Sequence, residues 1–222
     1  GAAYNAMAVI HCWERHYAES NENALHPLHL VSFECDLAPL TLAAKHLGSF
    51  PHLQHGAPIK ILKHGTWEHT SRLLQWELCK GDFRETLASA PTPDLIFYDP
   101  FSFKTDSALW TAEIFVRIFQ HCTPKSVELY TYSASTAVRV ALLTAGFFVA
   151  EGIGTGPKSA TTSAFTHATG AEDHPLRPQL LGQQWLARWR RSHAKFPLTL
   201  TAEEQAQYEH LIETHPQFLR ET

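Results

Sequence analysis

Three acidic residues, Glu34, Asp82 and Asp99, each close a run of apolar, β-leaning residues: LHLVSFE, LLQWELCKGD and LIFYD. In an open α/β sheet, ligands bind beyond the carboxyl ends of the strands, and an acid there is a common grip for a pair of ribose hydroxyls. One such acid can equally well cap the helix that follows. Three at successive strand ends favour a nucleoside-binding cleft. The sharpest element is Asp99-Pro100-Phe101-Ser102. A carboxylate and a proline carbonyl can both accept hydrogen bonds from an amine, and an aromatic ring can stack on an attached base. An amine must be neutral to attack, so an acceptor for its proton is useful beside it. This set suits methylation of an amine. The same four residues also suit a strand that ends in a proline turn, with Phe101 as packing.

The elements that must position these acids follow from hydrophobic periodicity. Met7, Ile10, Trp13 and Tyr17 predict a helix over 3–18, and Leu28 to Phe33 a buried strand. Asp36 can cap a helix over 37–47, which stops at Gly48. A short helix near 58–63, a strand over 73–79 and a short helix over 83–89 follow. After the strand that delivers Asp99 come a helix at about 107–121, a strand at 126–132 and a helix at 135–144. Strands at 147–152 and 159–166, then helices at 182–193 and 201–213, complete the chain. Alternation in such short units implies an α/β fold with a mostly parallel sheet covered on both faces. The last strand–turn–strand is too short for a crossover, so it must be an antiparallel C-terminal hairpin.

The 222 residues are 44% hydrophobic and 18% charged, with 11 Gly and 13 Pro, which suits a globular protein and excludes collagen, coiled coil and disorder. A net charge of −4 produces no uniform positive field, although 15 His make that figure soft. Cys12, Cys35, Cys79 and Cys122 form no C-x-x-C pair and read as reduced, mostly buried thiols of a cytoplasmic protein. No apolar run approaches a membrane span, and no signal-peptide pattern is present, so no membrane partner is expected. His26-x-x-His29 and His52-x-x-His55 have ligand-like spacing but lack companion ligands at set distances, so no metal is expected. The segment WLARWRRSHAK sets Arg188, Arg190, Arg191 and Lys195 beside Trp185 and Trp189. That suits contacts to RNA phosphates, or a helix docking its Trp residues with Arg outside.

The string DLIFYDPFSFKTDSALWT, followed by ELYTYSASTAVRVALLTAGFFV and GIGTGPKSATTSAF, resembles the MnmC-type methyltransferases. These use S-adenosyl-L-methionine to complete the 5-methylaminomethyl group of wobble 2-thiouridine in tRNA. Asp94, Asp99, Pro100, Phe101, Ser102, Lys104, Leu109, Trp110 and Thr111 fit the first block of the family's pattern. Thr131, Tyr132, Ser133, Val138 and Arg139 fit the second, and Ala145, Gly146, Phe147, Gly156 and Lys158 the last. Phe103 departs from the usual Pro. The resemblance spans residues 1 to about 166.

It implies a Rossmann-like class I methyltransferase sheet. GAAYN resembles the second half of the family's glycine-rich loop, with Ala3 in place of a glycine, so the first strand is expected to lie upstream of Gly1 and to be missing from this chain. The methyltransferase domain would occupy 1–170, with a linker and helical tail over 171–222. Carried over by resemblance, the cofactor is held by Gly1, Asn5, Glu34 (ribose), Gly81, Asp82 (adenine amino group) and Asp99. Asp99, Pro100 and Phe101 are the catalytic set. Phe101, Ser102, Lys104, Tyr132, Ser133 and Lys158 bind the acceptor. The implied partner is tRNA, through the wobble uridine of its anticodon loop, with an oxidase, fused or separate, left open. Two rival functions stand beside this one. The first is methylation of another amine, on a small molecule or a protein. The second is a non-enzymatic RNA- or partner-binding relic of the fold.

Overall fold

The computed structural model describes residues 2–19, 25–102, 105–154, 159–193, 195–196 and 200–219. The chain divides into two compact units, Gly1–Ala90 and Pro91–Thr222.

The first unit opens with α1 (Tyr4–Glu19), which buries Ala6, Met7, Ile10 and Trp13 along one stripe. That stripe shares a core with Ala57 and Ile61 of a later helix and with Leu74 and Trp76 of a strand. The strand β1 (Leu28–Glu34) leads to α2 (Ala38–Ala43) and α3 (Gly56–His64), then β2 (Thr66–Glu68), β3 (Leu74–Lys80) and α4 (Phe83–Thr86). The sheet order is β1-β3-β2. β1 and β3 run parallel from Leu28↔Leu74 to Glu34↔Lys80, and the Trp76 indole donates to Ser32 Oγ across them at 2.7 Å. β2 pairs antiparallel with β3 and lies inside the region whose sequence is irregular. α2 is shorter than the expected 37–47; Asp36 still accepts the Ala38 amide at 2.8 Å, as anticipated for a helix start.

The second unit contains β4 (Leu95–Phe97), α5 (Ala112–Cys122), β5 (Glu128–Thr131), α6 (Thr136–Ala145), β6 (Phe148–Ile153) and β7 (Ala160–Phe165). The order is β4-β5-β7-β6; β4 and β5 are parallel, and β7 is antiparallel to both β5 and β6. The α/β class and the C-terminal hairpin are as expected, and the antiparallel share is larger because β2 adds a pairing. Phe115, Ile118, Leu129, Leu142 and Phe147 are fully buried in this unit. Gly146 ends α6 at φ +109°, where a Cβ would meet the Phe119 ring at 3.0 Å, so the helix stop demands glycine.

The tail consists of α7 (Ala168–Asp173), α8 (Gln183–Arg191), α9 (Ala202–Glu213) and α10 (Pro216–Leu219), and it belongs to the second unit. α8 buries Trp185, Leu186 and Trp189. The Trp185 ring lies parallel to Trp189 (centroids 6.4 Å apart) and to Phe218 (6.0 Å). Arg190 pairs with Glu213 at 3.0 Å and Lys195 with Glu209 at 2.9 Å. The Trp residues of WLARWRRSHAK dock on the core, and Arg188, Arg190 and Arg191 are exposed. The thiols need a correction: Cys12 and Cys35 are exposed, and only Cys122 is buried. They sit on the polar faces of α1 and of the turn after β1. Among the described residues, no helix is long and apolar enough to cross a membrane.

Candidate functional site

In the first unit, parallel pairing brings two strand ends together. Glu34 closes β1, and its carbonyl accepts the Gly81 amide at 3.2 Å just beyond β3. Gly81 has φ +139°, and a Cβ there would lie 3.2 Å from Thr86 Cγ2, so this turn needs glycine. Asp82 caps α4 by accepting the Arg84 amide at 2.8 Å, and the Arg84 guanidinium grips the same carboxylate, with Nε 3.0 Å from each oxygen. Ala3 holds φ +58°, the left-handed region that glycine occupies freely and that costs alanine about 1 kcal/mol. Its carbonyl accepts the Met7 amide at 2.9 Å, and Asn5 is exposed in the first turn of α1. Gly1 lies outside the described residues.

In the second unit, Asp99 follows β4 on the surface, Pro100 is half-buried, and the Phe101 ring is 59% exposed. The turn is fastened from behind. Trp110 Nε1 donates to the Phe101 carbonyl at 2.7 Å, and the Tyr132 hydroxyl approaches the Pro100 carbonyl at 3.4 Å. Trp110 stands edge-on to Tyr132 (5.8 Å) and to Tyr98 (5.5 Å), and the Tyr98 hydroxyl donates to the Leu109 carbonyl. Burial, and then the Asp99 carboxylate, push the Tyr132 phenol above its ordinary pKa, so it stays a protonated donor. Ser102 continues the turn, its carbonyl accepting the Thr105 and Asp106 amides at 2.8 and 2.9 Å. Asp99, Pro100, Phe101 and Tyr132 are therefore brought together. Lys104 and Lys158 lie outside the described residues.

Ser133 is held by a relay that no local pattern announces. The Thr162 hydroxyl donates to the Ser133 carbonyl at 2.7 Å and accepts from Arg139 Nε at 3.1 Å. Arg139 is 7% exposed and also donates to the Thr161 carbonyl at 3.0 Å. Thr162→Val keeps the side-chain shape and removes the hydroxyl. It is expected to lower kcat/KM for the acceptor about tenfold, the worth of one buried hydrogen bond, with cofactor affinity unchanged by calorimetry. Unaltered kcat/KM would remove the relay from the site.

The family described as S-adenosyl-L-methionine-dependent methyltransferase matches residues 49–167. The chain belongs to this family. The match includes both the Gly81-Asp82 strand end and the Asp99 turn. Its fold is shared with the crystal structure of MNMC2 from Aquifex aeolicus, with a TM-score of 0.60 at 22% identity over 96% of this chain. That alignment covers 63% of the MNMC2 chain, so this chain spans just under two thirds of its length. No curated protein matches the chain. S-adenosyl-L-methionine is thus the cofactor expected of this methyltransferase. The residues present fit it: a half-buried strand-end carboxylate at Glu34 stands beside a glycine turn that tolerates no side chain.

Proposed function

We propose that the chain methylates the 5-aminomethyl nitrogen of the wobble (2-thio)uridine of tRNA. The observation that carries this is the turn at Asp99-Pro100-Phe101, which sets a surface carboxylate and a backbone carbonyl beside an outward-facing aromatic ring. The sequence pattern shared with the MnmC-type enzymes and the fold shared with MNMC2 support the same reading. When bound, S-adenosyl-L-methionine supplies an electrophilic methyl group on a sulfonium. Glu34 would hold the ribose hydroxyls, and Asp82 the adenine amino group. Asp99 accepts a hydrogen bond from the acceptor amine and keeps its lone pair free for attack. The Pro100 carbonyl, which has two lone pairs and the Tyr132 hydroxyl on one, can take the amine's second N–H. Phe101 stacks on the uracil, a contact worth about 1–3 kcal/mol. Methyl transfer would exchange the cofactor's carbon–sulfur bond for a nitrogen–carbon bond, and Asp99 or solvent would take the proton that the nitrogen sheds. Such a substrate places the protein in the cytoplasm.

The test is transfer from methyl-labelled cofactor to tRNA that carries 5-aminomethyl-2-thiouridine, beside tRNA without that group, bulk protein and small amines. Label is expected only in the first. Label in protein or metabolites would move the assignment to another amine. Absence of cofactor binding and transfer would leave the relic reading.

A further inference from the structure

An RNA substrate needs cations along its backbone, and the tail offers Arg188 and Arg191, exposed on α8. Arg190 and Lys195 are already paired with Glu213 and Glu209. A different surface, in the first unit, has the required character. From Leu37 to Trp67 the sequence contains three Lys and four His and no Asp or Glu. Within it, Lys60, Lys63 and His64 of α3 fall at i, i+3 and i+4, so they share one helix face. They line a shallow concavity of about 360 Å³ with His55, and no carboxylate lines it. Its apolar wall includes Leu47 and Ile59, each 37% exposed. The helix dipole accounts for cations in the last turn, at Lys63 and His64, but its effect fades before Lys60. Like charges set side by side repel, and a bound polyanion relieves that repulsion; His55 differs from the lysines in being paired with Glu14 at 3.0 Å. An adjoining concavity shares Lys60 and His64 and is lined also by Glu68 and Glu77, so the carboxylate-free side is the one that Lys63 and His55 complete.

We propose that this face of α3 binds the phosphodiester backbone of the RNA substrate; this rests on the RNA reading above. The apolar wall would lie along the sugar edges while Lys60 and Lys63 contact phosphates. Binding by such contacts is steeply salt-dependent, because each neutralised phosphate releases counterions.

The test uses the whole chain and fluorescently labelled unmodified tRNA, with anisotropy measured across a series of KCl concentrations. In the Lys60→Gln/Lys63→Gln double variant, the slope of log affinity against log salt is expected to shallow by about 1 per lysine. Affinity at 0.1 M KCl is expected to fall about tenfold or more. Calorimetric binding of S-adenosyl-L-methionine should be unchanged, which shows that the variant is folded. Equal slope and affinity in the double variant would overturn the surface while leaving the RNA reading intact. Failure of the wild-type chain to bind tRNA at all would sink the RNA reading itself. A phosphorylated acidic peptide that binds as tightly as tRNA, and loses affinity equally in the double variant, would reassign the face to a protein partner.

Discussion

Asp99→Ala is expected to lower kcat for methyl transfer about a thousandfold, within the range that a positioned proton acceptor contributes. Binding of S-adenosyl-L-methionine, followed by calorimetry, should be largely preserved. The substitution is clean because Asp99 is exposed, and exposed replacements usually change stability by less than about 0.5 kcal/mol. The turn that carries it is held by backbone bonds from Trp110 and Tyr132 to Phe101 and Pro100, none of which uses the Asp99 carboxylate. The loss should therefore come from the chemistry rather than from collapse of the site. Asp99→Asn separates two contributions. It keeps an acceptor oxygen for the amine but removes the charge that favours proton departure, so its kcat should fall between wild type and the alanine variant. Normal turnover by purified Asp99→Ala would strip Asp99 of its role and leave the turn as a structural feature only.

The parts of this molecule that were legible beforehand are those written in local or periodic signals. α1, α5 and α6 show helical spacing, and β1, β3, β5, β6 and β7 fall at or within a residue of the expected ranges. β2 is three residues and α10 four, too short for any period to register. The helix expected at about 107–121 divides at Thr111, whose hydroxyl accepts the Ile114 amide at 3.3 Å and starts α5 there; residues 107–110 form a separate tighter turn. The Asp99 turn was readable because its four residues are contiguous. What holds it was not. The Trp110 bond to Phe101 spans nine residues, and the bond from Thr162 to Ser133 spans 29. The second exists because β5 and β7 pair with Thr131 opposite Thr162, a register that only the folded sheet defines. Contacts along the β6 edge are equally unwritten in local pattern: the Glu151 amide donates to the Gln179 carbonyl at 3.3 Å, the Leu181 amide donates to the Val149 carbonyl at 2.8 Å, and Gln217 reaches Val149 across 68 residues.

Gln217→Ala is expected to destabilise the second unit by about 3 kcal/mol. β6 is the outer strand of its sheet, and Gln179–Leu181 pair with only part of its edge, the Glu151 amide donating to the Gln179 carbonyl and the Leu181 amide to the Val149 carbonyl. Gln217, 7% exposed, takes the Val149 amide. Its Oε1 accepts the Val149 amide at 2.7 Å, and its Nε2 donates to the Val149 and Leu181 carbonyls at 2.8 Å each. Alanine leaves the buried Val149 N–H without its acceptor. At about 2–4 °C per kcal/mol for a chain of this size, Tm should drop by about 6–12 °C. The measurement belongs at pH 8, because a second group lies in the same clasp. His215 is buried, its Nδ1 accepts the Gln217 amide at 3.2 Å, and burial pushes its pKa down to about 4. Between the ordinary histidine value of about 6.5 and that lowered one, the unfolded chain binds a proton that the folded chain refuses. Stability therefore falls as pH drops through this window and is independent of His215 above it. Gln217→Glu sharpens the argument. At pH 8 it sets a buried carboxylate against two carbonyl oxygens, so it should be worse than alanine, although it can still accept from Val149. If calorimetric unfolding ranks glutamate above alanine at pH 8, or if neither variant shifts Tm by more than a degree, the amide is not what fastens the tail to the sheet.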